Sequence, residues 1–126
     1  MEYTLETLEV YQLAEAFSDK VWFLVADWKY FEKSGIGAQL TDAADSVSAN
    51  IAEGYGRHYF GESKNFYFYA RGSLLESKSW LSKCKRRKLI PEKQCDELLQ
   101  EADVIMAKLI NYIKFVQNSQ KKAKKG

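Results

Sequence analysis

The residues most capable of chemistry lie in and after the segment SANIAEGYGR, residues 48–57. This segment carries the carboxylate Glu53, and a second carboxylate, Glu76, follows in ARGSLLES. Two such groups could act as a general acid and base or hold a metal ion. Di-iron bundles, however, supply Glu-x-x-His motifs from two helices, and the single histidine, His58, has Tyr55 three residues before it. One histidine also gives no Ser-His-Asp set, so the sequence predicts no catalytic residue, metal ligand or cofactor.

The glycines of GYGR could cradle a phosphate or end a helix. A phosphate-binding loop follows a strand and opens a helix. Here a helical pattern precedes the glycines, and no Gly-Lys-Ser/Thr follows them. We therefore predict that Gly54 or Gly56 ends a helix in the left-handed conformation, and that His58 lies in the following loop.

Polar residues around these glycines are predicted to form a structural network. Gly72 lies in the middle of a helical pattern, where glycine costs about 1 kcal/mol relative to alanine. We expect a close approach of its helix to the helix that carries Gly54, with carboxylates and arginines meeting across the gap. Such a network fixes register and adds little net stability. Its predicted members are Asn50, Glu53, Arg57, Arg71, Ser73 and Glu76.

Four segments with apolar residues at alternating steps of three and four must position these side chains. In the first segment the steps select Val10, Ala14, Phe17, Val21, Leu24, Trp28 and Phe31. Such spacing places each set on one face of a helix. The glycines of KSGIGAQ, residues 33–39, predict the break between the first two helices, and Pro91 predicts the start of the fourth.

We therefore predict an all-α protein, an antiparallel up-down-up-down four-helix bundle that forms a single domain over residues 1–116. The predicted helices span about 6–32, 38–54, 62–86 and 91–116, and residues 117–126 form a basic, disordered tail.

The composition is that of a small globular protein. The chain has 126 residues, 46% of them apolar and 29% charged, which is enough for one hydrophobic core. It has no run of about eighteen apolar residues, so we predict no membrane span. No secretory signal is visible, and Cys84 and Cys95 fit no zinc spacing. We predict a cytoplasmic protein with reduced, structural cysteines.

Charge is divided unevenly along the chain. Residues 1–56 carry three basic and ten acidic side chains, whereas residues 57–126 carry sixteen and seven. This split is compatible with an anionic polymer as partner, with self-association, and with pairing inside the bundle. Two basic clusters could neutralise phosphates without reading sequence, or be a solvated helix end and a solubilising tail. The candidate nucleic-acid residues are Lys83, Lys85, Arg86, Arg87, Lys88, Lys121, Lys122, Lys124 and Lys125.

The first and third helices carry more apolar residues than a monomeric bundle requires. The additional residues are Trp22, Phe23, Val25, Phe66, Phe68, Tyr69, Leu75 and Trp80. A surplus of apolar surface predicts a second buried face and hence self-association. The alternative is a thick core with scattered exposed aromatic side chains.

Two motifs point to a family. The motifs NIAEG (50–54) and ARGSLLE (70–76) resemble those of the bacterial four-helix-bundle family of 23S rRNA intervening-sequence proteins, and the resemblance covers nearly the whole chain. It implies a small all-α protein, ring-shaped homo-oligomers that are pentamers in known cases, and structural roles for the motif residues. Relatives include accessory proteins of diversity-generating retroelements, which bind nucleic acid and a reverse transcriptase.

We predict a non-enzymatic, homo-oligomeric binding or scaffold protein whose ligand is RNA or DNA, bound through the basic clusters. The alternative is a purely structural or protein-interaction homo-oligomer, in which the acidic half of one subunit meets the basic half of the next. An enzyme that uses Glu53 and Glu76 is a third hypothesis, which a stoichiometric bound metal would support.

Overall fold

Four long helices make up most of the chain. The computed structural model describes residues 3–125, with side chains described as far as residue 122. The helices are α1 (Glu9–Ala26), α2 (Ala38–Tyr55), α3 (Phe60–Arg86) and α4 (Glu92–Lys125). The described residues contain no strand, which confirms the predicted all-α fold class. None of the described helices combines the length and hydrophobicity that crossing a bilayer requires.

Ion pairs between helices reveal the direction in which they run. Lys78 of α3 pairs with Asp103 of α4, and Lys85 of α3 pairs with Asp96 of α4. As the residue numbers of the paired side chains rise along α3, those of their partners fall along α4, so the two helices are antiparallel. Each helix packs against its neighbours in sequence, and α1 closes the bundle against α4. This is the predicted up-down-up-down arrangement.

The core lies between the four helices and is built from the residues at the three-four spacing. Its largest fully buried side chains are Tyr67, Phe17, Leu40, Ile51, Leu74, Leu81, Ile105 and Leu109. Burial of side chains of this size contributes about 1.5–3 kcal/mol each, so this interior is the main source of stability.

The break between the first two helices differs from the prediction. Helix α1 ends at Ala26, and the chain is helical again at Tyr30–Glu32 and through a π-helix, Lys33–Gly37, which leads directly into α2. The predicted break at residues 33–39 is therefore wrong. A Cβ on Gly37 would lie 2.7 Å from Cγ1 of Val25, so close packing is what requires this glycine.

The burial of two apolar side chains near the end of α1 differs from the prediction. Phe31, placed on the buried stripe by its spacing, lies beyond the helix and is 83% exposed. Val25 belongs to the predicted surplus apolar set, but it is buried in the core. The period of three and four holds only while one helix continues, and it fails at Phe31 for that reason.

Helix α4 continues past its predicted end at residue 116. It remains helical to Lys125, over most of the segment predicted to be a disordered tail. No glycine or proline interrupts QNSQKKAKK, and its lysine, glutamine and alanine residues are good helix formers.

Candidate nucleic-acid interface

The α2 members of the predicted polar network form bonds along their own helix. Nδ2 of Asn50 donates to the Ser46 carbonyl at 2.8 Å, and Arg57 pairs with Glu53 at 3.2 Å. The Glu53 side chain is 59% exposed, so this is a surface pair within one helix and not the predicted pair across the gap between two helices. The Arg57 guanidinium also lies 4.7 Å from the centre of the Phe66 ring on α3, which is a cation–π contact.

The α3 members likewise bond within α3. Glu76 accepts a 3.3 Å hydrogen bond from Nε1 of Trp80, and the carbonyl of Ser73 accepts one from a hydroxyl a turn later. Arg71 is exposed. A Cβ on Gly72 would meet nothing within 4 Å, so the predicted close approach of two helices at Gly72 is wrong.

The close approach of α2 and α3 occurs at Gly54. A Cβ on Gly54 would lie 2.5 Å from Cε1 and 2.8 Å from Cδ1 of Tyr67. The Tyr67 ring is buried and packs edge-on against Tyr112 of α4, with 5.4 Å between ring centres. Burial and the neighbouring Tyr112 hydroxyl raise the pKa of Tyr67. The glycine of NIAEG therefore makes room for a ring. Helix α2 ends at Gly56 as one alternative predicted, but with a right-handed φ of −74°, so the predicted left-handed conformation is wrong.

A polar cluster that the sequence reasoning missed joins α1 to α2. The nearly buried hydroxyl of Ser18 donates to Asp45, and that of Ser48 donates to Glu15 at 2.9 Å. Tyr11 also donates to Glu15, at 2.7 Å, and this bond raises the pKa of Tyr11. The available signal was the same carboxylate-x-x-serine spacing on both helices, Glu15/Ser18 and Asp45/Ser48, which an antiparallel arrangement brings into reciprocal contact.

The basic residues at the end of α3 form a sharp corner. The amide of Leu89 donates to the Cys84 carbonyl at 2.9 Å, and the amide of Lys88 donates to the Lys85 carbonyl at 3.1 Å. These two bonds form a Schellman motif, which places Lys88 in the left-handed region with a φ of 60°. We call Arg86, Arg87 and Lys88 the basic corner; all three are exposed.

Two of the predicted phosphate-binding lysines have other partners. The Lys83 ammonium lies 4.4 Å from the centre of the Trp80 ring. Lys85 bonds Asp96 at 2.7 Å and lies 3.8 Å from Glu92, and the bond to Asp96 raises the pKa of Lys85. Within the cluster at the end of α3, the exposed cations are therefore those of the basic corner.

The second basic cluster lies far from the first. Lys121 and Lys122 are exposed on the last turns of α4. Because α4 runs antiparallel to α3, these lysines are at the opposite pole of the bundle from the basic corner. The side chains of Lys124 and Lys125 lie outside the described residues.

Most of the surplus apolar residues are at the surface. Those exposed are Trp22, Phe23, Phe68, Tyr69 and Leu75. Phe66 and Trp80 are half-buried. The outward sides of α1 and α3 therefore both carry apolar side chains.

The described residues offer no metal site. No group of three or more His, Cys, Asp or Glu side chains among them could hold an ion. Cys84 and Cys95 are buried free thiols, and Cys95 donates to the Leu81 carbonyl at 3.3 Å. Burial raises the pKa of Cys84 to about 11, so its thiol is protonated and unreactive at neutral pH.

These features define a small antiparallel helical bundle with one exposed basic corner. The chain matches the model of the 23S rRNA-intervening sequence protein family over residues 6–111, and it belongs to that family. This confirms the resemblance predicted from NIAEG and ARGSLLE.

One similar crystal structure is that of a protein of unknown function from the S23 ribosomal protein family of Bacteroides thetaiotaomicron. It has a TM-score of 0.75 and 21% sequence identity, and the match covers 83% of this chain and 95% of that chain. A likeness at this identity concerns the fold alone. A comparison with curated proteins found no match.

Proposed function

We propose that this chain is a non-enzymatic, homo-oligomeric scaffold protein that binds the phosphates of RNA or DNA through its basic corner. The observation that carries the proposal is the left-handed backbone conformation of Lys88. Left-handed conformation costs an L-residue about 1–2 kcal/mol, and glycine usually occupies this position of a Schellman motif. Residues that hold an unfavourable conformation cluster at functional sites. Here the strained residue carries a cation beside two exposed arginines.

The chemistry of the corner favours phosphate as the ligand. Arginine presents a planar set of donors that matches phosphate oxygens, and two arginines, Arg86 and Arg87, are adjacent in sequence here. Such contacts position a nucleic acid without reading its bases, so binding should tolerate sequence and weaken with salt. The family's name refers to 23S rRNA, which makes a structured RNA the first ligand to test.

The variant Lys88→Gly tests this assignment. We expect the free energy of unfolding to rise by about 1 kcal/mol, because glycine adopts the left-handed conformation without strain. We also expect weaker RNA binding and a slope of log K against log salt that is smaller by about one unit. Urea unfolding measures the first effect, and fluorescence anisotropy with a structured RNA at several salt concentrations measures the second.

Lys88→Ala is the matched control, since it removes the charge but keeps the strained backbone. It should weaken RNA binding as much as Lys88→Gly without raising stability. If Lys88→Gly stabilises the protein and binds RNA with unchanged affinity and salt slope, the lysine has no role in binding.

A second candidate function is a structural homo-oligomer without a nucleic-acid ligand. The exposed apolar residues of α1 and α3 favour it, because such surface on a small protein often marks an interface. The two functions predict different outcomes for one experiment, the binding of nucleic acid by the wild-type protein. Failure of the wild-type protein to bind structured RNA or duplex DNA at low salt would exclude the nucleic-acid function and favour the structural one.

A further inference from the structure

The seam between α1 and α4 is the most open of the four helix–helix seams. These two helices make the least extensive contact among neighbouring pairs. A cavity of about 600 Å³ lies between them, with Leu13, Ala16 and Val104 among its lining residues. A second cavity of about 890 Å³ continues toward the end of α1, where Phe23 lines it. We call these two joined cavities the α1–α4 groove.

The rim of the α1–α4 groove is acidic. Asp19, Asp27, Glu97 and Glu101 line it, against one lysine, Lys20. Lys20 pairs with Glu101 across the seam, so three carboxylates remain for another cation. An apolar floor with an acidic rim is suited to an apolar helix ridge flanked by basic side chains.

The same chain carries such a ridge on α3. Phe68 and Leu75 are 45% and 50% exposed, and they lie seven residues apart on the outward side of α3. Gly72 lies between them with open space beyond it, so a partner can approach the helix backbone closely. Lys64 and Arg71 are exposed beside this stripe. We call Phe68, Gly72 and Leu75, with Arg71, the α3 ridge.

We infer that the occupant of the α1–α4 groove is the α3 ridge of a second copy of this chain. This inference rests on the homo-oligomeric part of the proposed function. Within one bundle α3 lies diagonally across from α1, so the ridge and the groove of one copy cannot meet. Between copies, the ridge packs into the groove as helix ridges do, and Arg71 faces the carboxylates of the rim. Because two different surfaces meet, the contact is heterologous and generates a ring or a filament.

Two classes of variant test the interface, with assembly measured by sedimentation velocity at matched protein concentration. Phe23→Ser and Leu75→Ser alter exposed side chains, so both proteins should fold while their assembly weakens by at least about tenfold. Glu97→Arg and Arg71→Glu should each weaken assembly similarly, because each places like charges together. The double variant Glu97→Arg/Arg71→Glu should restore it. Asp42→Arg, on the exposed side of α2, is the control and should assemble as the wild type does.

Several results would overturn the inference. They are a monomeric wild type, assembly that survives Phe23→Ser and Leu75→Ser, and a charge swap without recovery. A monomer whose groove binds a basic amphipathic peptide would assign the groove to another protein. An assembled wild type that these variants leave intact contradicts only this interface, whereas an assembled wild type that binds no RNA contradicts only the nucleic-acid function.

Discussion

The substitution Gly54→Ala is expected to lower the free energy of unfolding by about 3 kcal/mol, because the added methyl group overpacks the core. It would lie 2.5 Å from Cε1 and 3.0 Å from Cζ of Tyr67. The Tyr67 ring is buried and packs against Tyr112, so moving it away from the methyl group would disturb a second ring of the core. The better helix propensity of alanine offsets only about 1 kcal/mol of the clash.

Urea unfolding of Gly54→Ala and Gly61→Ala measures this effect with a matched control. Gly61 is also within a helix and its Cβ position is open, so Gly61→Ala should not lower stability. Replacing Tyr67 by leucine should make Gly54→Ala less costly, so the two changes should not be additive. Equal effects of the two glycine substitutions would contradict the packing of Gly54 on Tyr67.

Alkaline pH is expected to destabilise the protein by several kcal/mol. Burial raises the pKa of Cys84 from 9.0 to about 11, and it also raises the pKa of Tyr67 and of Tyr112 above 10.0. At a pH between the pKa of such a group in the unfolded chain and its higher pKa in the folded protein, the unfolded chain releases a proton that the folded protein retains. The stability from these groups is therefore complete below pH 9 and is lost as pH rises toward their folded pKa values. Each group contributes up to about 1.4 kcal/mol per pH unit.

Urea unfolding at a series of pH values from neutral to strongly alkaline measures this loss. Cys84→Ala should flatten the dependence that begins near pH 9, and Tyr67→Phe should flatten the part above pH 10. Tyr30→Phe, at an exposed tyrosine outside the core, is the control and should keep the wild-type slope. Stability that is constant as the pH rises to 11 would contradict the burial of these groups.

Apolar spacing was enough to predict the bundle and its core residues, because burial follows directly from the period of a helix. It was not enough to place the first helix break. Gly37 resembles a helix stop in sequence, but its φ of −60° is helical, and its close contact with Val25 is what requires a glycine there. The exposure of Phe31 follows from the same error. For α4, helix propensity was a better guide than charge, because QNSQKKAKK lacks a breaker.

The sequence shows where the basic clusters lie, but it does not show which of their cations are paired with a carboxylate. Lys85 and Arg86 are adjacent in sequence, yet only the pairing of antiparallel helices puts Asp96 beside Lys85. In sequence, Gly54 resembles a helix stop and Gly72 a point of close helix approach. Tertiary packing places Tyr67 against Gly54 and leaves Gly72 open. Such distinctions depend on which helix faces which, and a single helical period does not contain that information.

The salt dependence of RNA binding by the variant Arg86→Gln/Arg87→Gln is the most direct test of the basic corner. We expect weaker binding and a slope of log K against log salt that is smaller by about two units, one for each phosphate that is no longer neutralised. Lys121→Gln/Lys122→Gln removes the same charge at the opposite pole and should change the slope far less. If the Lys121/Lys122 variant loses the salt-dependent binding and the Arg86/Arg87 variant retains it, the basic corner is not the nucleic-acid interface.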